Sequence, residues 1–107
     1  MQQRVTQAFR DYAAVAGGVR LNERCGFLGA AEATTFGEQA RAIRTALYLD
    51  ERAQRMAGLL DNAARDEAAS EKYASCDAAA RLIVEAASTH ARNWSGEIAK
   101  LQAAGIR

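Results

Sequence analysis

Residues 79–101 read AARLIVEAASTHARNWSGEIAKL, and this stretch decides the fold class. Ala79, Ile83, Ala87, His90, Trp94, Ile98 and Leu101 follow one another in steps of three and four. That spacing marks one face of a helix, because 3.6 residues complete a turn. Leu82 and Ala86 widen the face, and Gly105 supplies a C-terminal stop.

The same rhythm recurs towards the N-terminus. Ala53, Met56, Ala57, Leu60 and Ala64 form a third stripe, and Phe36, Ala40, Ile43 and Leu47 a second. The first runs through Val5, Phe9, Tyr12, Ala16 and Val19. It is weakened by Gly17-Gly18, each costing about 1 kcal/mol against Ala in a helix. The first helix is therefore expected to bend or restart there and to run to about Arg24.

The connections carry the expected punctuation. Gly26-Phe27-Leu28-Gly29 reads as a loop whose apolar pair tucks into the core. Thr35-Phe36-Gly37-Glu38 matches a capping box, although Ala30-Ala31-Glu32 could begin that helix earlier. Asp50 is a candidate N-cap, with Glu51 in the first turn. Ser70 or Ser75 could cap a further helix, with Glu71 or Asp77 in its first turn.

These patterns predict an all-α protein, one domain over residues 1–107, arranged as a four-helix up-down-up-down bundle. The alternative is a three-helix bundle with a long C-terminal helix, if the third and fourth segments are continuous.

Composition narrows the core. Half of the 107 residues are apolar and Pro is absent, which opposes disorder and favours helix. About a quarter are Ala, so helices must pack closely and the large core-formers are few. The Ala- and Arg-rich, Lys-poor usage suggests a GC-rich bacterial genome. A net charge of +1, spread evenly along the chain, opposes nucleic-acid binding through a basic face. No apolar run reaches the roughly 20 residues of a membrane helix.

Cys25 and Cys76 are the two cysteines of the chain. In an up-down-up-down bundle the end of the first helix and the start of the fourth lie side by side. A Cys25–Cys76 disulfide is therefore the leading reading, and two reduced, buried thiols are the alternative. A bridge calls for an oxidising compartment. No signal peptide is visible after Met1, so a periplasmic or secreted location presumes a leader already removed. The alternative is the cytoplasm.

Candidate functional residues are sparse. His90 and Trp94, one turn apart, read first as a packed Trp beside a hydrogen-bonded interior or boundary His; the alternative is a ligand pocket inside the bundle or a metal or haem ligand, with Met56 as an opposite haem ligand. A single His is a poor base for a metal site, and Glu85 to His90 has the wrong spacing for a di-iron bundle. No cofactor is expected. Tyr12, Tyr48 and Tyr73 suit helix ends or boundaries, where a buried ring keeps a wet hydroxyl, and any one could instead line a pocket. Glu38–Arg41 and Asp77–Arg81 have the spacing of surface ion pairs. No nucleophile elbow, phosphate loop or zinc-protease motif is present, so catalysis is not expected.

The reading that remains is a small exported binding or interaction protein. Phe27, Leu28 and surplus apolar residues such as Leu59 would contact an unknown protein or a small apolar ligand. Cys25-Gly26-Phe27-Leu28 is similar to the small acid-stress chaperones of the bacterial periplasm, in which a cysteine precedes an aromatic-apolar pair. That resemblance covers these few residues and implies a periplasmic chaperone as one alternative. A metal- or haem-carrying bundle and a cytosolic assembly adaptor are the others. Oligomeric state is not readable from the sequence.

Overall fold

A computed structural model describes residues 2–47 and 51–105, with side chains from residue 7 onward. The described residues form four α-helices: α1 (Gln2–Cys25), α2 (Ala30–Leu47), α3 (Glu51–Ala68) and α4 (Ala78–Ala103). A single 3-10 turn, Glu71–Tyr73, sits between α3 and α4. The protein is an all-α four-helix bundle. The interruption at residues 69–77 excludes a continuous third and fourth helix.

Contacts fix the helix directions. Cys25 at the end of α1 meets Cys76 at the start of α4, while Gly18 faces Ala87, so α1 and α4 are antiparallel. Tyr12 bonds Asp61 and Arg24 bonds the Ala68 carbonyl, so α1 and α3 run the same way. α1 is the hub: α2, α3 and α4 all pack on it, α2 and α4 also pack together, and α3 packs chiefly on α1.

Gly17-Gly18 does not break α1. Gly18 permits a close approach, since a Cβ there would lie 2.3 Å from the Ala87 Cβ and 3.3 Å from the Phe36 ring. The entropy lost by placing Gly in a helix is offset by contact between the α1 and α4 backbones.

The main core gathers Tyr12, Val15 and Ala16 of α1, Phe36, Ala40 and Ile43 of α2, Ala57 and Ala64 of α3, and Ala87 and Ala91 of α4. The second stripe is thus buried as its spacing implies, with Leu47 packed at its edge. A smaller cluster joins Leu21, Ala68, Ala80 and Val84 near the disulfide. Val5 and Tyr48 lie outside the residues with described side chains, as does Asp50.

Three expectations are corrected. α2 begins at Ala30, so Thr35 and Glu38 are inside the helix and form no cap. α4 is capped by Asp77, whose carboxylate accepts from the Ala80 N–H at 3.0 Å, and not by a serine. Ser70 precedes the 3-10 turn without a side-chain cap bond. The inner face of α4 is centred on Ala80, Val84, Ala87 and Ala91, about 60° round from the expected stripe, so Ala87, Trp94 and Ile98 of that stripe meet the core while Ala79, Ile83, His90 and Leu101 do not. In the first half of α4 small residues let it approach α1, so Ala80 and Ala87 point inwards while Leu82 and Ile83 point out.

Candidate interaction surface

One end of the bundle is closed by a cluster of ties. The Cys25–Cys76 disulfide spans a Cα separation of 5.5 Å. Gly26 follows α1 at φ 66°, in the left-handed region that ends helices, and its N–H donates to the Asn22 carbonyl at 2.7 Å. Asn22 is itself buried, and its side-chain oxygen accepts from the Leu28 N–H at 2.9 Å. One side chain therefore fixes the direction in which the loop leaves α1. Arg24 donates to the carbonyls of Ala68 and Ser70 at 2.8 and 2.6 Å, satisfying the exposed C-terminus of α3.

Phe27 and Leu28 are half-buried within this end. Leu28 packs against both core clusters, and the Arg81 guanidinium lies 5.0 Å from the centre of the Phe27 ring. The loop pair therefore serves packing, as the sequence pattern implies. Asp77 is engaged as a cap and Arg81 stacks on Phe27, so the surface pair expected between them is replaced by two other contacts.

Tyr12 is buried in mid-helix, not at a helix end. Its hydroxyl donates to Asp61 Oδ1 at 2.7 Å, while Arg44 Nε donates to Asp61 Oδ2 at 3.1 Å. This tie links α1, α3 and α2, and spacing within any one helix could not reveal it.

His90 and Trp94 sit side by side on α4, ring centroids 5.4 Å apart. Trp94 is half-buried against the main core, whereas His90 is exposed. His90 therefore points away from the bundle interior, beside a Trp94 that packs. Among the described residues, no three His, Cys, Asp or Glu side chains converge as metal ligands would. Shallow grooves run between α1 and α3, between α2 and α4, and along α1, α2 and α3 at Tyr12 and Asp61. Neither His90 nor Trp94 lines any of these three.

The unusual surface is apolar. Leu82 is 65 % exposed, Leu59 64 %, Leu101 49 %, Met56 40 % and Ile83 39 %. Two contacts show which way these side chains point. Asp61 marks the side of α3 nearest α2, through Arg44, and Met56 and Leu59 lie elsewhere on α3. Ser88 and Arg92 mark the side of α4 nearest α2, where they share a groove with Phe36 and Gln39. Ile83 and His90 lie on the other flank, with Leu82 on the outer face beyond them. Both helices thus carry surplus apolar surface directed away from their own packed faces. The sequence signal was the width of the apolar arc on α4, too broad for a single buried stripe.

None of the described helices is long and apolar enough to cross a membrane. The chain matches no protein-family model, no curated protein and no solved structure.

Proposed function

We propose that this chain is a non-enzymatic, disulfide-stapled interaction protein, acting in an oxidising compartment such as the bacterial periplasm. Its binding surface is the exposed apolar outer face of α3 at Met56 and Leu59, with a second on α4 at Leu82 and Ile83. The observation that carries this reading is the exposure of those side chains in a protein whose core is built largely of alanine. Large apolar residues are scarce in this chain, and clustered exposure of them marks contact surfaces. The Cys25–Cys76 bridge supports the compartment, because such bonds persist where thiols are not kept reduced.

Two measurements test the reading. The first is a photo-crosslinking side chain placed at Leu59 or Leu82 in the native host. It should give protein adducts that the same group at Arg10 or Glu38 does not. Equal labelling from all four positions would remove the surface. The second is intact mass after thiol alkylation of protein taken from its native compartment. It should show no label and a loss of two hydrogen atoms, whereas two labels would place the chain in a reducing compartment.

A further inference from the structure

We infer that the partner of the α3 face is a second copy of this chain, docked antiparallel across a two-fold axis near Leu59. This inference rests on the interaction reading above. Arg52, Met56, Leu59, Ala63 and Asp66 follow one another in steps of four and three, and all five are exposed. They form a seam of the kind that packs helix on helix. Ala57, Ala64 and Ala68 already occupy the opposite side of α3 against the bundle.

Charge selects the occupant and its direction. Arg52 and Arg55 stand at the N-terminal end of the seam, and Asp66 and Glu67 at its C-terminal end, with Leu59 and Leu60 midway. A copy laid antiparallel about that midpoint sets each arginine pair against the partner's acidic pair, twice over. A parallel copy would set arginines against arginines and acids against acids. A surface that is its own complement under a two-fold rotation is the requirement for an isologous dimer. Glu67 meets Lys72 at 3.5 Å within one copy, an open contact with both partners well exposed, which leaves the carboxylate accessible.

The test is sedimentation equilibrium of the oxidised full chain from about 1 µM to about 1 mM, where a single-helix seam should give a micromolar or weaker dimer. Leu59→Asp should raise the dimer Kd at least ~30-fold, as expected for a central apolar anchor. Its circular dichroism should be unchanged. An Arg52→Glu/Arg55→Glu variant and an Asp66→Arg/Glu67→Arg variant should each self-associate about tenfold more weakly. Mixed in equal amounts, the two should regain wild-type association, because each then meets its opposite. A wild-type chain that stays monomeric throughout, a dimer indifferent to Leu59→Asp, or a mixture that fails to recover would each overturn the inference. If the chain is monomeric but the Leu59 crosslinker captures a different protein, the second copy is wrong and the interaction reading stands. If it captures nothing, both fall.

Discussion

The stapled end and the middle of the bundle are built by different means. Around Cys25 the buried apolar set is small, with Leu21, Ala68, Ala80 and Val84 as its members. A disulfide, a buried asparagine, an arginine cap and an aspartate cap do much of the holding there. In the middle, Gly18 and Ala87 bring backbones together around Phe36 and Ile43. Loops must satisfy backbone polar groups that helices satisfy internally, so an end rich in loops needs several polar and covalent ties where the middle relies mainly on close packing, with the Tyr12–Asp61–Arg44 tie beside it.

The largest effect should come from the staple. Replacing Cys25 and Cys76 by Ala opens a loop of 51 residues in the unfolded chain and should cost about 4 kcal/mol. Urea unfolding of both forms measures it. Cys76 has φ 48°, a conformation that disfavours any residue with a Cβ. Cys25→Ala with Cys76→Gly should therefore recover about 1 kcal/mol over the double alanine variant. Hydrogen exchange then tests the comparison itself. Without the bridge, amides of residues 26–29 and 69–77 should exchange early, while those near Val15 and Ile43 keep most of their protection. Equal acceleration everywhere would mean that the two regions open as one.

A smaller cost is expected in the middle. Gly18→Ala drives a methyl group onto the Ala87 methyl and should destabilise by about 1–3 kcal/mol. The double variant Gly18→Ala/Ala87→Gly restores the volume and should recover most of the loss. Failure to recover would show that α1 and α4 are not in contact at this point.

This pair also shows where sequence reading stopped. The stripe through Phe36, Ala40 and Ile43 was legible because the large side chains occupy the inward positions, so periodicity and volume agree. On α4 they disagree. Ala80, Ala87 and Ala91 are inside, Leu82, Ile83 and Leu101 are outside, and hydrophobicity alone rotates the inner face by about 60° while still including Ala87, Trp94 and Ile98. Gly18 reads as a break because propensity is a property of the single helix, whereas its use lies in the approach of another. The bridge was legible because bundle topology places Cys25 and Cys76 at one end. Asn22 and the Tyr12–Asp61–Arg44 tie were not, since nothing in their spacing marks a polar side chain as buried.

Returning to the stapled end, Asn22→Ala should cost about 1–2 kcal/mol, because the Leu28 N–H loses its acceptor in a half-buried loop. Asn22→Asp keeps an acceptor and should cost less near neutral pH. If the two variants unfold at the same urea concentration, the hydrogen bond is not what positions the loop.

The weakest tie at this end is the most exposed. Lys72 is held above its ordinary value of 10.5, first by its interaction with the Tyr73 hydroxyl and then by the charge of Glu67. The ammonium also lies 5.3 Å from the Tyr73 ring centre. A raised lysine stabilises the folded chain while protonated in both states, so its contribution is present below pH 10.5 and is lost as the pH climbs past that value. Water screens a fully exposed group, so the urea midpoint of Lys72→Gln should nearly coincide with that of wild type at neutral pH. The sensitive readout is NMR titration of the Lys72 side chain. Its midpoint should lie above the ordinary lysine value and move back towards it in Tyr73→Phe. A midpoint unmoved by that substitution would assign the shift to Glu67, the surface ion pair between the 3-10 turn and α3.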